Sequence, residues 1–376
     1  MGNDKSKQRD EFELLETGSD GYERLVDLID GAEESLRMFF YTFADDTCGK
    51  SVVERLVAAR ERGVTVHLMV DDFGSLETPG NFFQPVIDAG GKVDDFQPHL
   101  VRSYLLRNHQ KMAIADGGRA IVGSFNIADS HLDSTDEDAW RDIGVHVAGP
   151  AAERLTIYYD ALFDWMQSER PHIRDLRDIL KDANEDEGET RWIIGGPSAG
   201  DSFYARAVQH EFMTATRMDM IMAYFSPSRR ILAAVRRLAR DGKLRLIAAA
   251  KTDVHLSRMA GHHTYKKLLR AGAEIFEYQP RMLHTKLMVT DDAVYIGSGN
   301  FDVRSLYINM EIMLRVERPE FRKQVAALFE DELEDCKPIT MDELKARGRW
   351  HNRFLWGAAY WVMVTVDASL SRFFAR

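Results

Sequence analysis

One pattern of histidine, lysine and aspartate occurs twice in the chain, each time followed by a Gly-Ser-x-Asn tetrad. The first copy consists of His109, Lys111, Asp116 and residues 123–126, and the second of His284, Lys286, Asp291 and residues 297–300. A neutral imidazole can attack phosphorus, while a protonated imidazole gives a proton to the leaving alkoxide. Both tasks suit histidine because its unperturbed pKa, about 6.5, lies near neutral pH. The duplicated motif therefore predicts displacement at a phosphodiester by two histidines, without a metal ion or a cofactor.

Other polar residues in or near the motifs are expected to support this chemistry. Ammonium and amide groups donate hydrogen bonds to the nonbridging phosphate oxygens as negative charge develops. A carboxylate bonded to the far ring nitrogen orients each histidine and stabilises its imidazolium form. The predicted residues are Lys111, Lys286, Asn126 and Asn300 as donors, Ser124 and Ser298 as positioning groups, and Asp142 and Glu311 as orienting carboxylates.

The motif residues lie in runs of strand-like composition. Because strand side chains alternate between faces, the histidine and the lysine of each motif should point to the same side. Turn-forming residues follow each run, so each strand is expected to reverse into a second strand that returns the tetrad beside its own histidine. Asp116 and Asp291 belong to the motifs but lie at these turns. We expect them to have turn or salt-bridge roles.

The duplication extends beyond the motifs. Strand, helix and strand patterns occur in the same order in residues 38–70 and 220–247, and Ala89-Gly90 matches Ala271-Gly272 at an offset of 182 positions. We therefore predict two pseudo-symmetric α/β sandwich halves that share one active site, residues 1–173 and 191–335. Residues 174–190 are predicted to be a charged, exposed linker, and residues 336–376 a separate helical tail.

Composition restricts the class of partner. The net charge of −11 disfavours nucleic acid, because binding to its backbone needs clustered Lys and Arg. Cys48 and Cys336 are far apart in sequence, which predicts no disulfide framework and favours a reducing compartment. No apolar run reaches the roughly 18 residues expected of a membrane-spanning helix, and no secretory signal is recognised.

The tail differs from the rest of the chain. Residues 354–366 are largely apolar, and they contain or adjoin tryptophans and arginines. This pattern is typical of an interfacial helix whose rings lie at the level of the lipid headgroups. The alternative is a final helix packed on the protein's own core. We favour attachment to a membrane, since a chain with a net charge of −11 needs a local basic and aromatic contact to bind an anionic surface.

The remaining histidines are assigned less specific roles. His67, His146 and His210 are expected to be packed or solvated. His255, His262 and His263 are expected near the mouth of the site, where binding of substrate and simple surface exposure are both open. Zinc is not expected, because no Cys/His spacing suits it.

The two motifs and their tetrads resemble those of the phospholipase D superfamily, whose hallmark is the duplicated His-x-Lys-x4-Asp pattern. Within it the chain is most similar to bacterial cardiolipin synthases, in particular to the short type without N-terminal transmembrane helices. The resemblance covers approximately residues 14–334. Its motifs are residues 107–111, Gly123-Ser-Phe-Asn-Ile-Ala-Asp129 and Gly297-Ser-Gly-Asn-Phe-Asp302, continued by Arg304, Ser305, Asn309 and Glu311.

The resemblance implies a peripheral enzyme on the cytoplasmic face of the cell membrane. One phosphatidylglycerol would donate its phosphatidyl group to His109 as a covalent phosphohistidine, with His284 as the acid, and a second would accept it to give cardiolipin and glycerol. The alternatives are a phospholipase D that transfers the group to water, a phosphodiesterase or nuclease of the superfamily, and a non-enzymatic membrane-binding module. The second lipid substrate and the oligomeric state are left open.

Overall fold

The computed structural model describes residues 9–97, 106–133, 138–185, 188–198 and 200–374, with side chains as far as residue 365. The first half contains seven strands and five helices in these described ranges. They are β1 (Glu11–Leu15), α1 (Gly18–Asp30), β2 (Ser35–Phe40), α2 (Thr47–Glu61), β3 (Thr65–Asp71), α3 (Gln84–Asp88), β4 (Lys92–Phe96), β5 (Lys111–Ala115), β6 (Arg119–Gly123), α4 (Asp129–Leu132), β7 (Gly144–Ala148) and α5 (Pro150–Gln167).

The second half and the tail follow after α6 (Ile173–Ala183). Their elements are β8 (Thr190–Gly195), α7 (Phe203–Thr214), β9 (Arg217–Met222), β10 (Phe225–Ser226), α8 (Arg229–Asp241), β11 (Lys243–Ala249), α9 (His255–Ala271), β12 (Glu274–Tyr278), β13 (Lys286–Thr290), β14 (Val294–Gly297), β15 (Phe301–Asp302), α10 (Val303–Tyr307), β16 (Glu311–Val316), α11 (Pro319–Glu334), β17 (Cys336–Pro338), α12 (Met341–Arg347) and α13 (Trp350–Phe374).

The two large sheets have the same strand order. The first sheet runs β1-β7-β6-β5-β2-β3-β4, and the second runs β8-β16-β14-β13-β9-β11-β12, with β17 added at its edge. In each, three strands are parallel and the motif strand, β5 or β13, pairs antiparallel with the first of them. The prediction of two pseudo-symmetric α/β halves is therefore confirmed.

One hydrophobic cluster joins the halves. It contains side chains from both sheets together with the inner faces of α5 and α11, among them Ile114, Tyr159, Leu287 and Phe329, all almost fully buried. Two further clusters cover the outer faces of the sheets, under α1 and α2 in the first half and under α7, α8 and α9 in the second. Because the central cluster draws on both sheets, neither half buries its inner face alone.

The segment between the halves is partly helical. Helix α6 occupies residues 173–183, and its Leu176 and Leu180 are buried in the central cluster, while its charged side chains face outward. This pattern follows from apolar residues four apart on one helix face. Asp186 and Glu187 of the predicted linker lie outside the described residues.

The predicted tail begins with β17, which pairs with β12, and with the short helix α12, and it ends in one long helix, α13, which packs against α9 and α10. Ala359, Tyr360 and Val364 are buried in the outer cluster of the second half, and the Tyr360 hydroxyl donates a hydrogen bond to the Pro227 carbonyl at 2.9 Å. Within the described ranges, no helix has the length and apolarity required to cross a bilayer.

The motif aspartates lie at the far ends of the motif strands. Asp116 and Gly117 both have positive φ, 53° and 69°, and form the tight turn between β5 and β6. The Asp116 carboxylate accepts hydrogen bonds from the backbone N–H groups of residues 33, 34 and 35 at 2.7–3.3 Å. Asp291 accepts from the N–H groups of Thr216 and Arg217 at 2.6 and 3.1 Å. Each aspartate thus ties its hairpin to the start of the neighbouring strand, β2 or β9.

We predict that Asp291→Ala lowers the free energy of unfolding by about 1–2 kcal/mol, because backbone donors lose a charged acceptor at a partly exposed position. Asp292→Ala is the matched control, since its side chain is exposed one residue further on. Denaturant unfolding measures the difference. A variant with unchanged stability but abolished turnover would instead place Asp291 in the chemistry.

Candidate active site

The first histidine is held by a carboxylate from the second half. His109 Nδ1 lies 3.0 Å from Glu311 Oε2, and Glu311 is fully buried at the start of β16. The Lys111 ammonium, also buried, donates to the His109 carbonyl at 2.6 Å. A hydrogen bond from Nδ1–H to the carboxylate fixes the tautomer in which Nε2 carries the lone pair. His109 is thereby oriented by a residue 202 positions away in sequence.

The second histidine is held in the same way by the first half. His284 Nδ1 lies 2.8 Å from Asp142 Oδ1, and the Lys286 ammonium donates to the His284 carbonyl at 2.6 Å. Asp142 and Glu311 are the two carboxylates that the sequence pattern predicted as orienting groups. In the structure these carboxylates are exchanged between the halves: each half supplies the carboxylate that orients the histidine of the other half.

Backbone hydrogen bonds bring each histidine to its partner segment. The His109 N–H donates to the Met310 carbonyl at 2.9 Å, and the His284 N–H donates to the Arg141 carbonyl at 2.9 Å. In both cases the acceptor residue directly precedes the orienting carboxylate, Glu311 or Asp142. The exchange of carboxylates is therefore built into two short parallel bridges between the halves.

The serines of the two tetrads position the carboxylates. Ser124 Oγ donates to Asp142 Oδ1 at 2.5 Å, and Ser298 Oγ donates to Glu311 Oε2 at 2.5 Å. Each serine belongs to the same half as the carboxylate that it touches. The serines thus act on the histidines through the carboxylates, and a buried carboxylate needs such donors to stay ionised.

The asparagines of the tetrads differ in their contacts. Asn126 Oδ1 accepts from the Thr42 N–H at 3.1 Å, and its Nδ2 lies 3.2 Å from His131 Nε2. Asn300 is equally buried, and its Oδ1 has no hydrogen-bond partner among the described residues. The candidate residues apart from Asp116 and Asp291 are therefore buried or partly buried, and all of them except Asn300 take part in the contacts described above.

His131 is a site residue that the motif analysis missed. Its Nδ1 lies 2.6 Å from Asp142 Oδ2, so Asp142 contacts two histidines, whereas Glu311 contacts one and leaves Oε1 without a partner among the described residues. Its position on the short helix α4, five residues after Asn126, is the only sequence signal. His131, Asp142 and His284 are ligand types that could hold a metal ion. However, each Nδ1 has a carboxylate oxygen at ordinary N–H···O distance, which fits a hydrogen-bonded triad.

Two tyrosines, which the motif analysis also missed, lie beside the histidines. Tyr41 follows β2, and its ring centroid lies 4.9 Å from that of His109; the Tyr224 ring lies 6.4 Å from His284. The Tyr224 hydroxyl donates to Asp253 Oδ1 at 2.5 Å. Burial raises the pKa of Tyr41 to about 12, so its phenol stays neutral at physiological pH. One tyrosine ring thus lies beside each of the two histidines.

Burial dominates the electrostatics of the centre. It lowers the pKa of His109 to about 4, against the opposing effect of Glu311, and it lowers the pKa of His284 well below its usual value. Burial also lowers the pKa of Lys286 to about 7 and that of Lys111 strongly, the latter with a further contribution from Lys286. The two lysines thus influence each other, as expected if both motifs face one site. Neutral imidazoles are available for attack on an electrophile.

The sequence matches the family model described as "Cardiolipin synthase, PLD-like domain" over residues 25–156 and 208–333. Among curated relatives, cardiolipin synthase A of Pseudomonas fluorescens is 28% identical over 89% of this chain and 71% of the relative. Cardiolipin synthase 1 of Bacillus anthracis is 26% identical over 92% of this chain and 71% of the relative.

The fold is found in a solved structure of low sequence similarity. The crystal structure of phosphatidylserine synthase from Haemophilus influenzae superimposes with a TM-score of 0.73 at 12% identity, covering 96% of this chain and 95% of that one. The two family matches together span most of both halves and include both motifs. With its duplicated fold and its two histidines in one centre, the chain belongs to the family of phospholipase D-like domains found in cardiolipin synthases.

Proposed function

We propose that the protein is a phosphatidyltransferase that makes cardiolipin and glycerol from two molecules of phosphatidylglycerol. The observation that carries the proposal is the exchange of orienting carboxylates, which brings two histidines of opposite halves into one buried centre. Family membership and the names of the curated relatives support the choice of a phospholipid as substrate.

His109 is the proposed nucleophile. Burial keeps its imidazole neutral, and the bond to Glu311 leaves Nε2 free to attack. Its side chain is 12% exposed against 5% for His284, so it is the more accessible of the two. In the first step Nε2 forms a bond to phosphorus, the bond from phosphorus to the glycerol oxygen breaks, and a phosphatidyl-histidine results.

His284 is the proposed acid and base. Burial lowers its pKa, while Asp142 opposes this effect. The negative charge of a bound phosphodiester raises the pKa of a nearby imidazole, so substrate binding favours the protonated form. His284 then gives its proton to the leaving glycerol oxygen. In the second step it removes the proton from a hydroxyl of the second phosphatidylglycerol, which attacks phosphorus and releases His109.

Four donors are proposed to stabilise the charge on the nonbridging oxygens: Lys111, Lys286, Asn126 and Asn300. All four side chains are buried, where a hydrogen bond to a charged oxygen is stronger than in water. Tyr41 and Tyr224 are proposed to limit the access of water, which would otherwise compete with the second lipid as acceptor.

The proposed location is the surface of an anionic membrane, on its cytoplasmic face. Helix α13 is apolar on two sides. One side packs on the protein, and the other forms an exposed stripe of residues spaced as one helix face, namely Phe354, Leu355, Ala358, Trp361 and Val362. An exposed apolar helix face with aromatic residues suits the lipid interface. Since α13 packs on α10, directly after the second tetrad, the stripe lies on the half that carries His284.

The function is tested by mass spectrometry of the lipids that the purified protein forms from phosphatidylglycerol vesicles. We expect cardiolipin and glycerol in equal amounts. His109→Ala and His284→Ala should each lower the rate at least about 10³-fold, because the two histidines act as a unit. His210→Ala, at an exposed position, is the control. Phosphatidic acid as the sole product would identify a hydrolase, and unchanged turnover in either histidine variant would contradict the mechanism.

The affinity for anionic substrate should fall as pH rises above 7. Burial lowers the pKa of Lys286 to about 7, and the charge of a bound phosphodiester raises it again, so binding takes up a proton and is favoured at lower pH. We expect about tenfold or more weaker binding of short-chain phosphatidylglycerol to His109→Ala at pH 9 than at pH 7. Calorimetry in buffers of different ionisation enthalpy measures the uptake. Adding Lys286→Arg, whose side chain stays charged at both pH values, should reduce the number of protons taken up on binding. Equal affinity of His109→Ala for the lipid at pH 7 and pH 9 would contradict the assignment.

Removing the apolar stripe should release the protein from lipid. Trp361→Glu with Phe354→Glu places two charges on the exposed face of α13. We expect about tenfold or greater loss of partitioning into phosphatidylglycerol vesicles, since each buried large side chain contributes roughly 1.5–3 kcal/mol. Sedimentation with vesicles measures it. Ile157→Glu with Met213→Glu, exposed apolar positions on other helices, is the matched control, and an equal loss in both pairs would mean that the stripe does not contact lipid.

A further inference from the structure

A second cavity, of about 390 Å³, lies between α9, α12 and α13, outside the catalytic centre. It has the size of a small-ligand site. Its lining includes the histidines His262 and His263, the cations Lys266, Lys267, Arg270 and Arg353, and the apolar ring of Trp356.

Four of the cations lack a counterion. In the part of the chain that the structure describes, no carboxylate forms an ion pair with Lys266, Lys267, Arg270 or Arg353. By contrast, Lys345 pairs with an aspartate on its own helix at 2.8 Å. Like charges around one cavity repel each other, and a bound anion removes this repulsion. The concentration of unpaired cations stands out in a chain whose net charge is −11.

The carboxylates near the cavity are already engaged. Glu277 accepts from His262 Nε2 at 3.0 Å and from the Arg347 guanidinium at 2.6 Å. Glu343 pairs with Lys337 at 2.6 Å and with Arg347 at 3.2 Å. Neither carboxylate therefore neutralises the four free cations. The basic surface continues outward along α8, where Arg236, Arg237 and Arg240 share a groove with Lys267 and Arg270.

The two histidines form a rigid wall rather than part of the catalytic centre. The His263 ring stacks on Tyr360 of α13 with ring centroids 4.9 Å apart, and the His262 ring contacts Trp356 at 5.1 Å. Both histidines thus connect α9 to α13 and line this cavity, whereas the sequence analysis predicted them near the mouth of the catalytic site. The cavity is formed only when α13 is docked.

The position of the cavity indicates the kind of ligand. Arg353 directly precedes Phe354, the first residue of the exposed apolar stripe, and Trp356 follows two residues later. A cation next to the exposed apolar stripe on one helix fits a molecule that carries an anionic phosphate beside a hydrocarbon chain. A free phosphate has no hydrocarbon to contact the stripe, and an acidic peptide binds to cations without such a contact.

We propose that this cavity is a second, non-catalytic site, which binds the phosphate headgroup of an anionic phospholipid while the stripe on α13 contacts its acyl chains. The site holds the enzyme on the bilayer from which it takes its substrate. It extends the proposed function but does not depend on it, because headgroup binding requires no turnover.

The test measures binding of an inactive protein, His109→Ala, to vesicles of phosphatidylglycerol and of phosphatidylcholine. In this background, Lys266→Gln, Lys267→Gln and Arg353→Gln are combined. Lys50→Gln, Lys92→Gln and Lys181→Gln, all exposed in the first half and α6, remove the same charge elsewhere and serve as the matched control. Each cation near an anionic surface contributes about fivefold to binding.

We expect the cavity variant to lose on the order of 100-fold in affinity for phosphatidylglycerol vesicles, the control much less, and binding to phosphatidylcholine to stay the same in all three proteins. Equal losses in the two variants would overturn the proposal, because the effect would then be general electrostatics. A cavity variant that loses affinity for inorganic phosphate but binds phosphatidylglycerol vesicles as tightly as before would also overturn it, since the site would then recognise free phosphate and not a lipid headgroup. Cardiolipin formation by the wild type is measured separately, so failure of the function and failure of this site are distinguishable.

Discussion

The structure depends on the exchange of two carboxylates between its halves. Glu311 of the second half orients His109, and Asp142 of the first half orients His284, at 3.0 and 2.8 Å. Buried carboxylates are costly unless they are paired and hydrogen-bonded, so neither half alone can satisfy its own polar centre. The shared hydrophobic cluster and the two backbone bridges bring the halves together at the place where this requirement is met.

The same burial produces the reactive states of the centre. Desolvation keeps His109 neutral and lowers the pKa of both lysines, so the site carries less positive charge than its residue types suggest. A bound phosphodiester raises these pKa values, because its negative charge favours protonation of the groups around it. The pseudo-symmetry is broken at His131, which contacts the second oxygen of Asp142 and has no counterpart at Glu311 among the residues that the structure describes. This difference gives the two histidines unequal surroundings from nearly equal motifs.

Much of this arrangement could be predicted from the sequence, because the same residue types recur at the same spacing in both copies of the motif. The motif strands, their hairpins and the two halves follow from alternation, turn residues and repeat order. The sequence could not show which carboxylate serves which histidine, since that pairing joins residues 202 and 142 positions apart through packing of the halves. His131 and Tyr41 were missed because a single histidine outside the motifs, and an aromatic residue at the end of a strand, also occur in ordinary hydrophobic cores. The tail was predicted to attach to a membrane, with docking on the protein's own core as the alternative. Helix α13 packs on the core through Ala359, Tyr360 and Val364 and exposes Phe354 and Trp361 on another face.

The most direct test of the account is to identify the histidine that carries the covalent intermediate and to measure whether Glu311, from the other half, affects the rate at which it forms. Protein mixed with phosphatidylglycerol is quenched within one turnover, digested and analysed by mass spectrometry for a phosphatidyl-histidine, in the wild type and in Glu311→Gln. The account predicts an adduct on His109 in the wild type and much slower formation of that adduct in the variant, because the orienting carboxylate comes from the other half. An adduct on His284, or an unchanged rate in Glu311→Gln, would contradict it.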